Sequence, residues 1–378
     1  MAKNPLHELR EAGQSIWLDS IDRTMLHNGE LERRIRDDAL TGMTSNPTIF
    51  QKALASGTSY DEQLLAAEEG LSSMELFELV ETEDVRNACD AFAGVFSSTR
   101  GADGYVSIEV SPGVSSNSDD TIEEARRLWK TVDRPNVMVK VPGTDAGAVA
   151  VRRLIADGIN VNITLLFAIS AHEKVIEAYL AGLEDRLKTN QPIDGIASVA
   201  SFFVSRVDTE IDKRLDALIA KAAPAEQERL KMLKGRAAIA NAKLAYRLFV
   251  QKFSGPRWDA LAAKGARLQR PLWASTSTKN PAYRDVMYVE ELIGPNSVDT
   301  MPPATIDAFR EHGVVARTVD KKVSAAEGLL KEIEAVGISI KDVTDKLIVE
   351  GIASFQKSFD ELIGGLESKI GSLAPGGK

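Results

Sequence analysis

Lys140 sits in a run of otherwise apolar residues, VMVKVP (137–142), and Gly143 follows at once. Burying a charged ammonium is costly, and the usual outcome is a depressed pKa. A neutral amine in a dry pocket is what a Schiff-base nucleophile requires. The same hexapeptide also suits an edge lysine whose stem packs while its head reaches water, and the strand alone leaves both accounts open. Companions come from other strand ends. Asp19 ends WLDS, Glu109 sits in SIEV, and Asn162 and Thr164 alternate in NVNITLLF. Residues two apart on a strand face the same side, so Asn162 and Thr164 share a face. Two carboxylates, an amide and a hydroxyl around a lysine form a proton-transfer constellation. Singly, each has a plainer account. Asp19 could cap the following helix, Glu109 could pair with a structural arginine, and Thr164 could be an ordinary strand residue.

Two further segments suit an anion. SFFVSR (201–206) ends a strand in aromatics and continues into Ser205 and Arg206. A guanidinium fork matches phosphate oxygens. The alternative partners for Arg206 are Asp208 and Glu210 on the next helix. Phe203 follows Ser201 by two, so both should face one side while Phe202 faces the other. WASTSTKNP (273–281) is a second polar loop, and its Ser275 and Lys279 fall where many barrels bind phosphate.

These residues need a scaffold that brings strand ends together. Candidate strands are 15–20, 41–45, 105–110, 136–141, 159–166, 196–203, 270–275 and 298–301. Several are apolar on both faces, as in a parallel sheet covered by helices. Amphipathic helical patterns separate them. Residues 119–132 start with Asp119 as the expected N-cap, and 147–157 stop before Gly158, a good helix-ending residue. About eight strand–helix pairs predict an α/β fold of the (β/α)8 TIM-barrel type. An open doubly wound sheet is the other topology, weakened by the lack of a G-x-G-x-x-G turn after the first strand. The whole chain, 1–378, reads as a single barrel domain with helical insertions at about 47–103 and 208–267. The second insertion reads as a helical hairpin broken near Pro224. A C-terminal helix over 345–370 places Leu347, Ile348, Ile352, Phe355, Phe359, Leu362 and Leu366 on one stripe.

Composition narrows the partners. Lys plus Arg is 46 and Asp plus Glu is 55, a net charge of −9. The pI of about 5.2 argues against nucleic acid or an anionic membrane as the main partner. A local cluster of Lys and Arg can still hold a small anion. One cysteine, Cys89, and 4 scattered histidines predict no disulfide framework and no metal site. MAKNPLHELREAG has no apolar stretch of the signal-peptide kind, and no run suits a membrane span. The expectation is a soluble cytoplasmic enzyme without a cofactor.

Read together, the motifs resemble a family. Thr44-Ser45-Asn46-Pro47-Thr48 is similar to the T-x-N-P signature of transaldolases. VMVKVP resembles that family's Schiff-base strand, NVNITLLF the segment after it, and SFFVSR the strand on the phosphate side. They stand in family order, and the similarity runs from about Leu9 to the C-terminal helix. Length and the long helical insertion resemble the larger bacterial branch. The resemblance implies a metal-free class I mechanism. Lys140 would attack the C2 carbonyl of a ketose phosphate, fructose 6-phosphate or sedoheptulose 7-phosphate. Asp19 would take the C4 hydroxyl proton, and Glu109 and Thr164 would position a proton-shuttling water. Asn46 and Asn162 would hydrogen-bond the intermediate. Ser201 and Arg206 would face the phosphate of an acceptor, erythrose 4-phosphate or glyceraldehyde 3-phosphate. Phe203 would keep water from the intermediate. Many members carry an arginine in the loop after strand seven; here Ser275 and Lys279 stand in that stretch, Lys279 as a point charge. The implied setting is the non-oxidative pentose phosphate pathway, with small phosphosugars as partners and a monomer or homodimer. Two alternatives remain: a Schiff-base aldolase that releases free dihydroxyacetone, and a non-catalytic phosphosugar-binding protein.

Overall fold

Runs rich in Val, Ile and Leu, each flanked by helical patterns, become eight strands in the computed structural model, which describes residues 4–55, 57–68 and 70–373. They are β1 (Gln14–Asp19), β2 (Gly42–Thr44), β3 (Tyr105–Glu109), β4 (Val137–Pro142), β5 (Val161–Leu166), β6 (Ser198–Phe203), β7 (Gln269–Ala274) and β8 (Ser297–Met301). All pair in parallel with their sequence neighbours, and β8 closes on β1 from Gln14↔Ser297 to Leu18↔Met301. The sheet is therefore a closed barrel wrapped by helices, a (β/α)8 architecture. The open-sheet alternative is excluded. Each expected strand is present, with its ends displaced by a residue or two.

Register sets what faces inward. Glu109 on β3 pairs with Lys140 on β4, and Lys140 with Asn162 on β5. The N-terminal end of the barrel is closed by a polar knot. Trp17 Nε1 donates to Asp103 at 2.8 Å, and Arg270 reaches Ser15 at 2.7 Å and Asp103 at 3.4 Å. Gly42 is required there, because a Cβ would come within 2.5 Å of the Trp17 indole. The C-terminal end is left for chemistry.

Three helical readings need correction. The 119–132 helix spans Ser118–Val132, and its N-cap is Asn117, not Asp119; Asn117 Oδ1 accepts the Asp119 and Asp120 N–H groups at 2.9 and 3.3 Å. Asp119 instead lies in the first turn, where its charge meets the positive end of the helix dipole. The next helix is Asp145–Asp157, starting earlier than expected and ending at Gly158 with φ 91°. The 208–267 insertion is four helices, Ser205–Ile219, Pro224–Lys231, Ala237–Lys252 and Pro256–Ala262, not a broken hairpin. Pro224 opens a helix, where its missing N–H leaves nothing unpaired. The first insertion is helical as read, with helices Pro47–Ala55, Asp61–Ala66 and Ser73–Ser98.

The C-terminal helix is longer than expected, Ile340–Leu373, and lies across the C-terminal mouth. Leu347, Phe355, Leu362 and Leu366 are buried, and Ile348, Ile352 and Phe359 pack on the core half-covered. Polar ties fix it: Thr48 to Ser358 at 2.8 Å, Arg214 to Asp342 at 2.5 Å and Lys346 to Glu210 at 2.7 Å. At Gly351 a Cβ would stand 2.9 Å from Leu165 Cδ2, so this helix rides directly on the end of β5. Among the described residues no helix is long and apolar enough to cross a membrane.

Candidate active site

Lys140 does not reach out to water. It is 5% exposed, its Nζ lies 3.0 Å from Glu109 Oε2, and it donates to the Ser45 carbonyl at 3.0 Å. The edge-lysine account is thereby excluded. The counter-charge on β3 offsets the cost of desolvating the ammonium, a partner that the lysine strand by itself does not reveal. Glu109 is 7% exposed. Burial pushes its carboxyl above the ordinary range; Lys140 pulls it back, while the Asp19 charge adds to the rise.

Asn162 is held on both sides of its amide. Its Nδ2 donates to Ser107 Oγ at 2.9 Å, and Ser201 Oγ donates to its Oδ1 at 2.6 Å. The Ser201 hydroxyl is thus taken by Asn162. Thr164 stands where the β5–β6 register shifts between Ile163 and Leu166, next to Leu165, whose φ of 58° is left-handed. Such a bulge re-aims a side chain, and a non-glycine residue at positive φ is held there by its surroundings. Thr164 Oγ1 is buried and finds no hydrogen-bond partner among the described residues.

Asp19 accepts the Thr44 hydroxyl at 2.8 Å, and Thr44 shares a 2.8 Å hydrogen bond with Thr300. It does not cap the next helix. That is Asp22, whose Oδ1 accepts the Met25 N–H at 3.1 Å. Asn46 Oδ1 accepts the Ile49 N–H at 3.0 Å at the start of the Pro47–Ala55 helix. Its strand-end position brings it beside Lys140 through the Ser45 carbonyl.

Arg206 pairs with neither Asp208 nor Glu210. Asp208 accepts the Tyr288 hydroxyl and the Ala238 N–H, and Glu210 pairs with Arg214 and Lys346. The Arg206 guanidinium lies 5.1 Å from the Phe203 ring centre, and no carboxylate pairs with it among the described residues. Burial pushes its pKa down, against the pull of Asp19 and Glu109. Ser275, at φ 58°, shares a 2.8 Å hydrogen bond with Ser205 beside Arg206. Lys279 donates to Ser277 at 2.8 Å, and its pKa is lowered by burial and then by the positive Arg206.

These groups converge on one cavity of about 330 Å³ at the C-terminal mouth. Every expected site residue lines it except Glu109 and Asn162, which stand behind the wall in contact with Lys140 and Ser201. Phe203 faces in, whereas Phe202 packs outward against His172 and Trp273. The sequence reading missed Thr44, Lys52, Thr300 and Phe355 in the wall. Thr44 belongs to the T-x-N-P segment and was within reach. Phe355, whose ring centre is 5.8 Å from Lys140 Nζ, comes from the C-terminal helix, and nothing local signals it. Among the described residues no three His, Cys, Asp or Glu side chains group as a metal site. The arrangement offers a buried amine with an adjacent carboxyl, a second carboxylate in the cavity wall, and cations at its mouth that no carboxylate pairs with among the described residues.

Residues 16–366 match the family described as Transaldolase/Fructose-6-phosphate aldolase. The chain is similar to a Transaldolase 2 of Nostoc sp., at 46% identity over 380 residues, covering 99% of this chain and 100% of that protein. It is 45% identical over 379 residues to a Transaldolase of Trichodesmium erythraeum, again covering 99% and 100%. A Transaldolase of Thermobifida fusca is 46% identical over 362 residues, 95% of this chain and 96% of that one.

Proposed function

This chain belongs to the transaldolase/fructose-6-phosphate aldolase family and acts as a transaldolase, a transferase, and we propose that it moves a dihydroxyacetone unit between phosphosugars on Lys140. The donor is fructose 6-phosphate or sedoheptulose 7-phosphate, and the acceptor is erythrose 4-phosphate or glyceraldehyde 3-phosphate, within the non-oxidative pentose phosphate pathway of the cytoplasm.

Lys140 must lose a proton before it can attack C2, and Glu109 at 3.0 Å takes it. Its upward-shifted carboxyl suits a group that accepts and returns protons. The carbinolamine then loses water with protons passed between Glu109 and Thr164, a cavity-lining residue whose buried hydroxyl has no partner among the described residues. Asp19 removes the C4 hydroxyl proton. The C3–C4 bond breaks, its electron pair flows into the protonated imine, and the aldose phosphate departs. The three-carbon enamine stays on Lys140 and attacks the aldehyde of the acceptor by the reverse steps. Asn162, fixed by Ser107 and Ser201, and Asn46 hold its hydroxyls. Phe203 and Phe355 present apolar rings that give the enamine no proton and a waiting water no support. Arg206, with Ser275 and Lys279, holds the phosphate end.

The observation that carries this reading is the buried Lys140–Glu109 pair beneath an Arg206 without a carboxylate. Borohydride added with fructose 6-phosphate should fix a three-carbon unit on Lys140 alone. Lys140→Met should lose both the label and turnover while keeping its circular dichroism. Labelling at another lysine, or turnover in the variant, overturns the assignment.

A further inference from the structure

Three elements each send one cation to the cavity mouth. Arg206 comes from the Ser205–Ile219 helix, Lys279 from the loop after β7, and Lys52 from the last turn of the Pro47–Ala55 helix. Among the described residues none of the three pairs with a carboxylate. Cations elsewhere around the C-terminal helix are ion-paired, Lys346 with Glu210 and Lys369 with Asp61, whereas these three are left to face the cavity. The Pro47–Ala55 helix is not free to swing, because Thr48 bonds Ser358 and its Phe50 is buried edge-on against Phe77.

Charge counting gives Lys52 a task. Lys140 and Glu109 balance one another. The remaining ionisable wall is Lys52, Arg206 and Lys279 against Asp19, so 3 − 1 = +2. A phosphate monoester carries about −1.5 to −2 at neutral pH. With Arg206 and Lys279 alone the wall would be 2 − 1 = +1. Asp19 has to be ionised to act as a base, and in that form it repels the phosphate that enters the same cavity. A third cation offsets that repulsion without neutralising the base by direct contact.

We infer that Lys52 is a third phosphate arm, which adds to the preference for phosphorylated over unphosphorylated sugars that Arg206 chiefly sets. This deepens the transaldolase reading and rests on it. The residue is exposed and reaches the phosphate through a flexible stem, so its contribution is smaller than that of the half-buried Arg206 and is screened by salt.

The test compares kcat/KM for glyceraldehyde 3-phosphate with that for glyceraldehyde in wild type, Lys52→Ala, Lys52→Arg and Arg206→Ala. The phosphorylated-to-unphosphorylated ratio should fall about two- to fivefold in Lys52→Ala, through KM, and more steeply in Arg206→Ala. Lys52→Arg should restore it, and about 0.5 M NaCl should shrink the difference between Lys52→Ala and wild type. An unchanged ratio in Lys52→Ala beside a lowered one in Arg206→Ala overturns this role and leaves the transaldolase reading standing. An unchanged ratio in both removes the phosphate from this mouth and overturns the roles given to Lys52 and Arg206 alike. Borohydride trapping on Lys140 in each variant shows separately whether the amine chemistry is intact.

Discussion

Asp19 and Asp22 are three residues apart in DSID and do different work because of what each oxygen meets. Asp22 is occupied by the Met25 N–H, a cap bond, whereas Asp19 faces the cavity with one oxygen on Thr44. Asp19→Asn keeps the shape and the Thr44 bond but removes the proposed base. Its kcat should fall about 10²–10⁴-fold with KM little changed. Asp22→Asn can still cap, so its turnover should stay near wild type and its stability should fall by no more than about 1 kcal/mol. Steady-state kinetics on both variants decides it; a large kcat loss in Asp22→Asn with a mild one in Asp19→Asn reverses the roles. At this scale the sequence was informative where strand periodicity applied. Asn162 and Thr164 could be placed on one face because alternate strand residues share one, whereas the strands of Lys140 and Glu109 by themselves left a site role and a structural one both open. It could not tell whether Arg206 was free. Asp208 and Glu210 are near it in sequence, and only the fold shows them engaged by Tyr288, Arg214 and Lys346.

Elements decide how well those residues are held. The loop after β7 carries Ser275 and Lys279, and it is fastened to the helix that carries Arg206. Tyr283 donates its hydroxyl to Asp212 at 2.5 Å, and Tyr288 donates to Asp208 at 2.9 Å. Those same aspartates accept the Gly235 and Ala238 N–H groups at 3.0 and 2.8 Å. In the proposed phosphate site Tyr283 acts as a positioning residue that helps hold Lys279 against Arg206. Tyr283→Phe removes one hydrogen bond and no ring. KM for phosphorylated acceptors should rise a few-fold, in keeping with a net ~1 kcal/mol hydrogen bond. Turnover at saturation and KM for glyceraldehyde should stay near wild type. An equal effect on both acceptors would make the tyrosine a fastening for the fold alone. The strands were legible because an apolar run covered on two faces has few other uses. Helix ends were less so. Asn117 and Asp119 are both good caps, and only backbone geometry selects Asn117. Pro224 as a helix breaker and Pro224 as a first helical residue look the same in one dimension. The bulge at Ile163–Leu166 has no glycine to announce it, since it is Leu165 that takes the left-handed conformation, with Gly351 of the C-terminal helix packed close to its side chain.

Closing the barrel brings β1 against β8, a pairing across nearly the whole chain that no local pattern encodes, and it also buries acids that no site uses. Asp299 on β8 is fully covered, and the only hydrogen bond to its carboxylate among the described residues comes from Thr276 at 2.9 Å. Burial pushes its carboxyl up to about 8, with Thr276 pulling weakly the other way. In the unfolded chain the same group titrates near ~3.9. Between those values the folded protein holds a proton that the unfolded chain has released. Stability from this group is thus full below about pH 4 and declines by up to about 1.4 kcal/mol per pH unit until Asp299 ionises. Asp299→Asn keeps an acceptor for Thr276 and cannot ionise. Urea unfolding at pH 5, 6.5 and 8 should show the variant gaining on wild type as pH rises, with the largest relative gain at pH 8. Asp208, pushed up to about 7 chiefly by burial, declines in the same sense, and His172, pushed down to about 4 by burial, acts oppositely from about pH 6.5 downward. Both are present in each protein and cancel in the difference. Parallel stability profiles for Asp299→Asn and wild type would mean that Asp299 titrates in the folded barrel as it does in the unfolded chain.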